Sequence, residues 1–97
     1  MKYRLAVAPA AAARIRHLPP DVKRSIKEAF RAIAADPACG TALLRELEGC
    51  MKYRVRRYRI VYRVDRAARM VAMLAVGHRR TIYDEALEAL ARVTRDE

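Results

Sequence analysis

The chain has 97 residues, 54% of them hydrophobic, which suits one folded domain over residues 1–97 and excludes a disordered polypeptide. Its 21 basic and 11 acidic residues give a formal net charge of +10, which predicts a polyanionic partner: nucleic acid, an acidic protein or a membrane surface. No apolar run approaches the roughly 18 residues that a membrane span needs, and the charged start is unlike a signal peptide, so we expect a cytoplasmic protein without a membrane segment.

The first third of the chain predicts one strand and two helices. Apolar residues alternate with polar ones over residues 2–8, which is typical of a strand, and Pro9 ends this pattern. Residues 9–18 are rich in alanine and predict a short helix that begins at the proline. Residues 21–35 carry one apolar stripe at helical spacing and predict a second helix, which ends where Asp36 precedes a proline.

The rest of the chain predicts a connector, three strands and a last helix. Residues 38–49 are the connector, and the strands cover 52–56, 58–65 and 70–77. The nearly continuous apolar run of the last strand favours a central place in the sheet, and a helix follows over residues 81–96.

The order β-α-α-β-β-β-α predicts an α+β fold in which a helix pair packs on one face of a small antiparallel sheet, with a further C-terminal helix. Arginine fills most polar positions in the alternating stretch. We expect one strand to place Arg54 and Arg56 on the face that the helix pair leaves open, and the next strand to add Arg59 and Arg63. Guanidinium groups at this density indicate a phosphate-bearing partner.

The reactive groups exclude several kinds of chemistry. There is no glycine-rich phosphate loop, and Ser25, the only serine, falls within a helix. Cys39 and Cys50 lack the spacing of a zinc site and are expected to be free thiols, and the acidic residues are scattered, so we expect no metal and no cofactor. Arginine, lysine, tyrosine and histidine remain, and they can stabilise a phosphate during attack by an RNA 2′-hydroxyl.

Four segments carry a resemblance to a known family: 43–49, 53–56, 58–62 and 77–83, which read LLRELEG, YRVR, YRIVY and GHRRTIY. They resemble the RelE/ParE superfamily of bacterial toxins, and the resemblance covers nearly the whole chain. RelE-like members are ribosome-dependent mRNA endonucleases, whereas ParE-like members inhibit DNA gyrase. Both kinds are neutralised by a cognate antitoxin.

The resemblance implies roles for particular residues. The catalytic set that it implies is Arg54, Arg56, Arg59, Arg79 and Tyr83. Lys52, Arg57, His78 and Arg80 are expected to contact nucleic acid. RelE-like toxins often have lysine where this chain has Arg54 and Arg56, and because arginine does not release its proton the general base is not identified; His78 is a possible substitute.

The function that the resemblance implies is a type II toxin that cleaves mRNA in the ribosomal A site, without a metal, and leaves a 2′,3′-cyclic phosphate. Its partners would be a RelB-like antitoxin, in a heteromeric complex, and mRNA on the ribosome. The alternatives are a ParE-like gyrase inhibitor without catalysis and an antitoxin-bound regulator of transcription. For single residues, a structural role is also open: Arg59 and Arg79 could pair with acids, and Tyr83 could pack at a helix start.

Overall fold

The computed structural model describes residues 2–78 and 81–95, and it has the expected α+β architecture: helices pack on a sheet and a C-terminal helix follows. The elements are β1 (Arg4–Val7), α1 (Pro9–Arg16), α2 (Pro20–Ala35), β2 (Thr41–Ala42), β3 (Cys50–Val55), β4 (Tyr58–Asp65), β5 (Met70–Gly77) and α3 (Thr81–Arg95).

Local sequence explains the bounds of the two N-terminal helices. Each begins with proline in its first turn, where the missing N–H costs nothing, and α2 adds Asp21 beside its positive N-terminal dipole. The amide of Asp36 caps the end of α2, and the next residue is proline. The predicted apolar stripe of α2 is buried at Ile26, Ala29 and Ile33.

The sheet has five strands in the order β1-β5-β4-β3-β2. The predicted meander of β3, β4 and β5 is antiparallel, and β5 lies inside the sheet as its apolar run predicted. β1 pairs with β5 in parallel, so the sheet is mixed where the sequence had suggested antiparallel strands throughout. No hairpin joins β1 to β5, so no turn sequence indicates whether these two strands run parallel or antiparallel.

The connector is more ordered than predicted. It contains the two-residue strand β2, which pairs with β3, and two short 3₁₀ turns over Pro37–Cys39 and Arg45–Leu47. The buried hydroxyl of Tyr62 donates to the Pro37 carbonyl at 2.8 Å and accepts from the Gly40 amide at 3.1 Å. A Cβ at Gly40 would lie 2.4 Å from this hydroxyl oxygen, so glycine lets the connector close on the sheet.

Hydrophobic clusters cover both faces of the sheet. On one face α1 and α2 pack against β3, β4 and β5 through residues such as Ile26, Ile60 and Met73. On the other face α3 packs through Ile82 and Ala86 over β4 and β5. The helix pair therefore covers one face as predicted, and α3 occupies part of the face that was expected to be open. No helix in the described part of the chain is long and apolar enough to cross a membrane.

The two hydrogen bonds of the Tyr62 hydroxyl, which we name the Tyr62 anchor, yield a prediction about stability. Tyr62→Phe leaves the Gly40 N–H and the Pro37 C=O without their partner, and should lower the free energy of unfolding at neutral pH by about 1–3 kcal/mol. Burial raises the pKa of Tyr62 to about 12. Because an unfolded tyrosine loses its proton near pH 10, the wild-type protein should lose stability as the pH rises from about 10 to about 12.

Urea unfolding of the wild type and of Tyr62→Phe between about pH 9 and about pH 12 measures this effect. Because the phenylalanine variant lacks the titrating group, the difference between the two free energies of unfolding should become smaller as the pH rises. Tyr53→Phe is the control, because its ring is only half-buried and no hydrogen bond of its hydroxyl is found within the described ranges. A gap that stays constant with pH would contradict the assignment.

Candidate nucleic-acid interface

The register of β3 and β4 places two arginines directly opposite each other. Arg54 pairs with Arg59 across the two strands. Directly opposed residues in antiparallel strands have Cβ atoms about 4.5–5.5 Å apart, so the two side chains leave the sheet side by side when they share a face.

Both arginines lie on the face that carries α3. We name the hydrophobic cluster beneath α1 and α2 the α1–α2 cluster. The neighbours of Arg54 along β3 lie in it or pack against it, namely Val55 and Tyr53. The neighbours of Arg59 along β4 do so as well, namely Ile60 and Tyr58. Because successive side chains in a strand point to opposite faces, Arg54 and Arg59 point to the α3 side. Arg54 is exposed and Arg59 is half-buried.

Arg54 and Arg59 belong to a row of aligned residues that continues across the sheet to the start of α3. Arg59 pairs with Gly77 of β5, and a Cβ on Gly77 would lie 2.6 Å from Cγ2 of Ile82. A bulge in β5 places two successive residues, Leu74 and Ala75, on the α3 face and restores the alternation beyond them. The row Arg54–Arg59–Gly77 therefore ends beneath the first turn of α3.

Two further cations share this face. Lys52 lies two residues before Arg54 on β3 and is half-buried, and Arg63 lies opposite Cys50 at the far end of β4. We name Lys52, Arg54, Arg59 and Arg63 the cationic strip. Period-two alternation already indicated Arg63, although the resemblance assigned it no role.

The strip is not neutralised by carboxylates among the described residues. Arg54 donates from Nε to the carbonyl of Arg56 at 3.2 Å, and no ion pair of the strip occurs in the described part of the chain. Like charges held directly opposite each other destabilise a sheet. The expected structural role of Arg59, pairing with an acid, thus finds no support in the described ranges, and the strip is suited to an external anion.

Arg56 does not lie beside Arg54 on the α3 face, and that expectation is wrong. β3 ends at Val55, and Arg56 is in the tight turn with a φ of 55°. Its guanidinium binds Asp21 at the start of α2 at 3.1 Å, on the opposite side of the sheet. This hydrogen bond lowers the pKa of the exposed Asp21 carboxyl. The basic pair that β3 presents to the α3 face is therefore Lys52 and Arg54.

The other residues expected to contact nucleic acid lie near the same end of the sheet. Arg57 is exposed in the β3–β4 turn. His78 is exposed, and its ring meets that of Tyr58 edge-on with centroids 4.9 Å apart. Because Tyr58 packs on the α1–α2 cluster, His78 is held away from the cationic strip. Arg79 and Arg80, which the resemblance also implicates, fall outside the described residues.

Tyr83 lies in the first turns of α3, half-buried against the cluster that includes Val61 and Leu74. This packing agrees with its expected structural role, and it also keeps Tyr83 on the face of the cationic strip. Glu85, two residues further along, forms an ion pair with Arg14 of α1. These partners are 71 positions apart in the sequence, and neither carries a motif that would have identified the contact.

The cysteines are poor candidates for chemistry. Both thiols are free, Cys39 exposed and Cys50 buried. Burial raises the pKa of Cys50, and desolvation likewise raises that of Cys39, so both stay protonated as inert thiols. Within the ranges that the structure describes, no group of three or more histidine, cysteine or acidic residues could hold a metal ion.

Known proteins of similar sequence are toxins. A family model described as the ParE toxin of type II toxin–antitoxin systems matches residues 5–83. Toxin RelG of Mycobacterium tuberculosis is 34% identical over 85 residues, which make up 86% of this chain and 98% of RelG.

Solved structures agree with this relationship. A chain of the RelBE2 toxin–antitoxin complex from M. tuberculosis has a TM-score of 0.74 and 32% identity, and the match covers 81% of this chain and all of that one. A mutant of E. coli RelE in the free state has a TM-score of 0.76 and 27% identity, with 91% and 97% covered. The resemblance expected from the sequence is confirmed: the chain belongs to the ParE toxin family, within the RelE/ParE superfamily of type II toxin–antitoxin toxins.

Proposed function

We propose that the protein is a RelE-like toxin that cleaves mRNA on the ribosome. The single observation that carries this proposal is the opposed pair Arg54 and Arg59, which is held on one face of the sheet without a carboxylate partner in the described ranges. Two guanidinium groups that leave the sheet side by side would favour the extra negative charge of a phosphate under attack. RNA supplies the nucleophile through its own 2′-hydroxyl. The protein therefore needs to align the reacting groups, neutralise the charge of the phosphate and transfer protons.

The cationic strip suggests how these tasks are divided. Arg54 and Arg59 would hold the scissile phosphate. Lys52 shares their face, whereas the ring of His78 packs against Tyr58 on the other face, so we assign the proton-transfer role to Lys52 rather than to His78. Tyr83 would stack on a base or donate a hydrogen bond, and Arg79 would add charge from the segment between β5 and α3.

Arg56 and Arg57 receive a different role. Both lie in the turn at the end of the hairpin, and Arg56 points away from the strip towards Asp21. We therefore place them in contact with flanking RNA, where they contribute to association rather than to the chemical step.

We propose two partners for this chain. Solved relatives include toxins bound to their antitoxins, and these support an antitoxin partner that neutralises this chain in a heteromeric complex. The ribosome and its mRNA would be the second partner, which places the activity in the cytoplasm.

A second candidate function is inhibition of DNA gyrase. The description of the matching family model, which names the ParE toxin, favours this candidate. It requires no catalytic residues, and the cationic strip would then serve protein or DNA contacts.

Induction of the chain in growing cells separates the two functions. We expect primer extension on abundant mRNAs to show new cuts inside translated codons, and these cuts should be absent for Arg59→Ala and present for Arg31→Ala, a charge-matched variant on the exposed face of α2. Intact mRNA together with broken chromosomes would contradict the nuclease and support the gyrase inhibitor.

The turn yields a separate prediction. In Arg56→Gly the strain of the positive φ, about 1–2 kcal/mol, is relieved, while the ion pair to Asp21 that is lost is exposed to solvent and contributes little. The variant should therefore unfold in urea at no lower denaturant concentration than the wild type. It should need more protein for half-maximal cleavage on programmed ribosomes, yet reach the wild-type rate at saturation. A large loss of the saturated rate would return Arg56 to the catalytic set.

A further inference from the structure

We propose that Arg14 and Glu85 are positioning residues for the proposed mRNA cleavage. Their ion pair fixes the start of α3, and with it Tyr83, beside the row that contains Arg54 and Arg59. The inference rests on the proposed function, and it assigns a role to two residues that lie outside the cationic strip.

The ion pair joins the end of α1 to the early part of α3. Arg14 lies in the last turn of α1, where the partly negative helix end favours its charge, and Glu85 follows the first turn of α3. Tyr83 precedes Glu85 by two residues on the same short segment of helix. A shift of Glu85 towards or away from α1 therefore moves Tyr83 as well.

The ion pair lies next to the row that contains Arg59. A Cβ on Gly77 would be 2.6 Å from Cγ2 of Ile82 and 3.8 Å from Cδ of Arg14. The aliphatic stem of Arg14 and the first turn of α3 thus meet above Gly77, the residue that pairs with Arg59. From Glu85 towards the C-terminal part of α3, a groove of about 380 Å³ separates this helix from the start of α1; its lining is Ala8, Pro9 and Ala10 on one side and Glu85, Glu88, Ala89 and Arg92 on the other. Arg14 therefore bridges α1 and α3 at the end where Tyr83 is located.

The two partners differ in how far water can reach them. The Glu85 side chain is 26% exposed and its Oε2 atom is buried without a hydrogen-bond partner among the described residues, whereas the Arg14 side chain is 45% exposed. Removal of Arg14 leaves a partly buried carboxylate without its cation, and we expect α3 to shift so that water reaches Oε2 of Glu85. Removal of Glu85 leaves an arginine that water already reaches. Neutralisation of Arg14 should therefore displace α3 more than neutralisation of Glu85.

The test compares full-length Arg14→Gln, Arg14→Lys and Glu85→Gln with a matched control, Arg92→Gln. The control breaks the ion pair between Arg92 and Glu88, which lies within α3 at 3.6 Å and ties the helix to nothing else. Backbone hydrogen exchange of α3 measures how firmly the helix is held. Single-turnover cleavage on programmed ribosomes, at increasing protein concentration, separates the saturated rate from half-saturation.

In Arg14→Gln we expect α3 amides to exchange roughly three- to tenfold faster. The saturated cleavage rate should fall by about tenfold or more with little change in half-saturation, because a misplaced Tyr83 impairs the reaction rather than binding. Arg14→Lys should recover most of both quantities, Glu85→Gln should give a smaller effect, and Arg92→Gln should match the wild type.

Wild-type exchange in Arg14→Gln would overturn the proposal, and so would faster exchange accompanied by a wild-type saturated rate. If the wild-type protein itself does not cleave mRNA, the proposed function fails and the positioning role fails with it. The exchange data would then still show, independently, whether the ion pair holds α3.

Discussion

The candidate site depends on one constraint, the register that aligns Arg54, Arg59 and Gly77 across three strands. A shift of one residue in either pairing would send the arginines to the opposite face, because side-chain direction alternates along a strand. The apolar neighbours of each arginine oppose such a shift, since Val55 and Ile60 would leave the α1–α2 core. Burial on one face of the sheet thus holds the cations in place on the other.

The same register explains why α3 begins where it does. Glycine at position 77 leaves room for Ile82 to pack directly on β5, and the bulge at Leu74 and Ala75 adds apolar surface for the helix. α3 therefore covers β4 and β5 and leaves the outer part of β3 uncovered. On this face of the sheet, α3 therefore covers one part and the cationic strip occupies the other. This arrangement suits the proposed function, in which an RNA backbone would lie beside a helix that presents a tyrosine.

Much of this fold could be predicted from local patterns. Alternation identified β3 and β4 and placed Arg54, Arg59 and Arg63 on one face, a nearly continuous apolar run identified β5, and the apolar stripe identified α2. The error at Arg56 has a specific cause: the alternation of residues 54 and 56 continues into a turn that lacks the glycine or asparagine that usually marks one. Counting by two therefore extended the strand by one residue, to Arg56, and paired Arg56 rather than Lys52 with Arg54.

Other features could not be predicted from the sequence because they depend on distant parts of the chain. The parallel pairing of β1 with β5 joins the first strand to the last, and all the other elements except α3 lie between them in the sequence. The Tyr62 anchor joins residues 22 and 25 positions apart, and the Arg14–Glu85 ion pair spans 71 positions. None of these contacts has a spacing that a local pattern records.

A double-mutant cycle on Arg54 and Arg59 tests the central claim, that the two guanidinium groups act together on one phosphate. Saturated single-turnover cleavage would be measured for Arg54→Ala, Arg59→Ala and the double variant, with Arg31→Ala as the charge control. The account predicts that each single change lowers the rate by about a hundred- to a thousandfold, and that the double variant loses less than the product of the two. Wild-type rates at saturation, or losses that added salt reproduces in the wild-type protein, would contradict it.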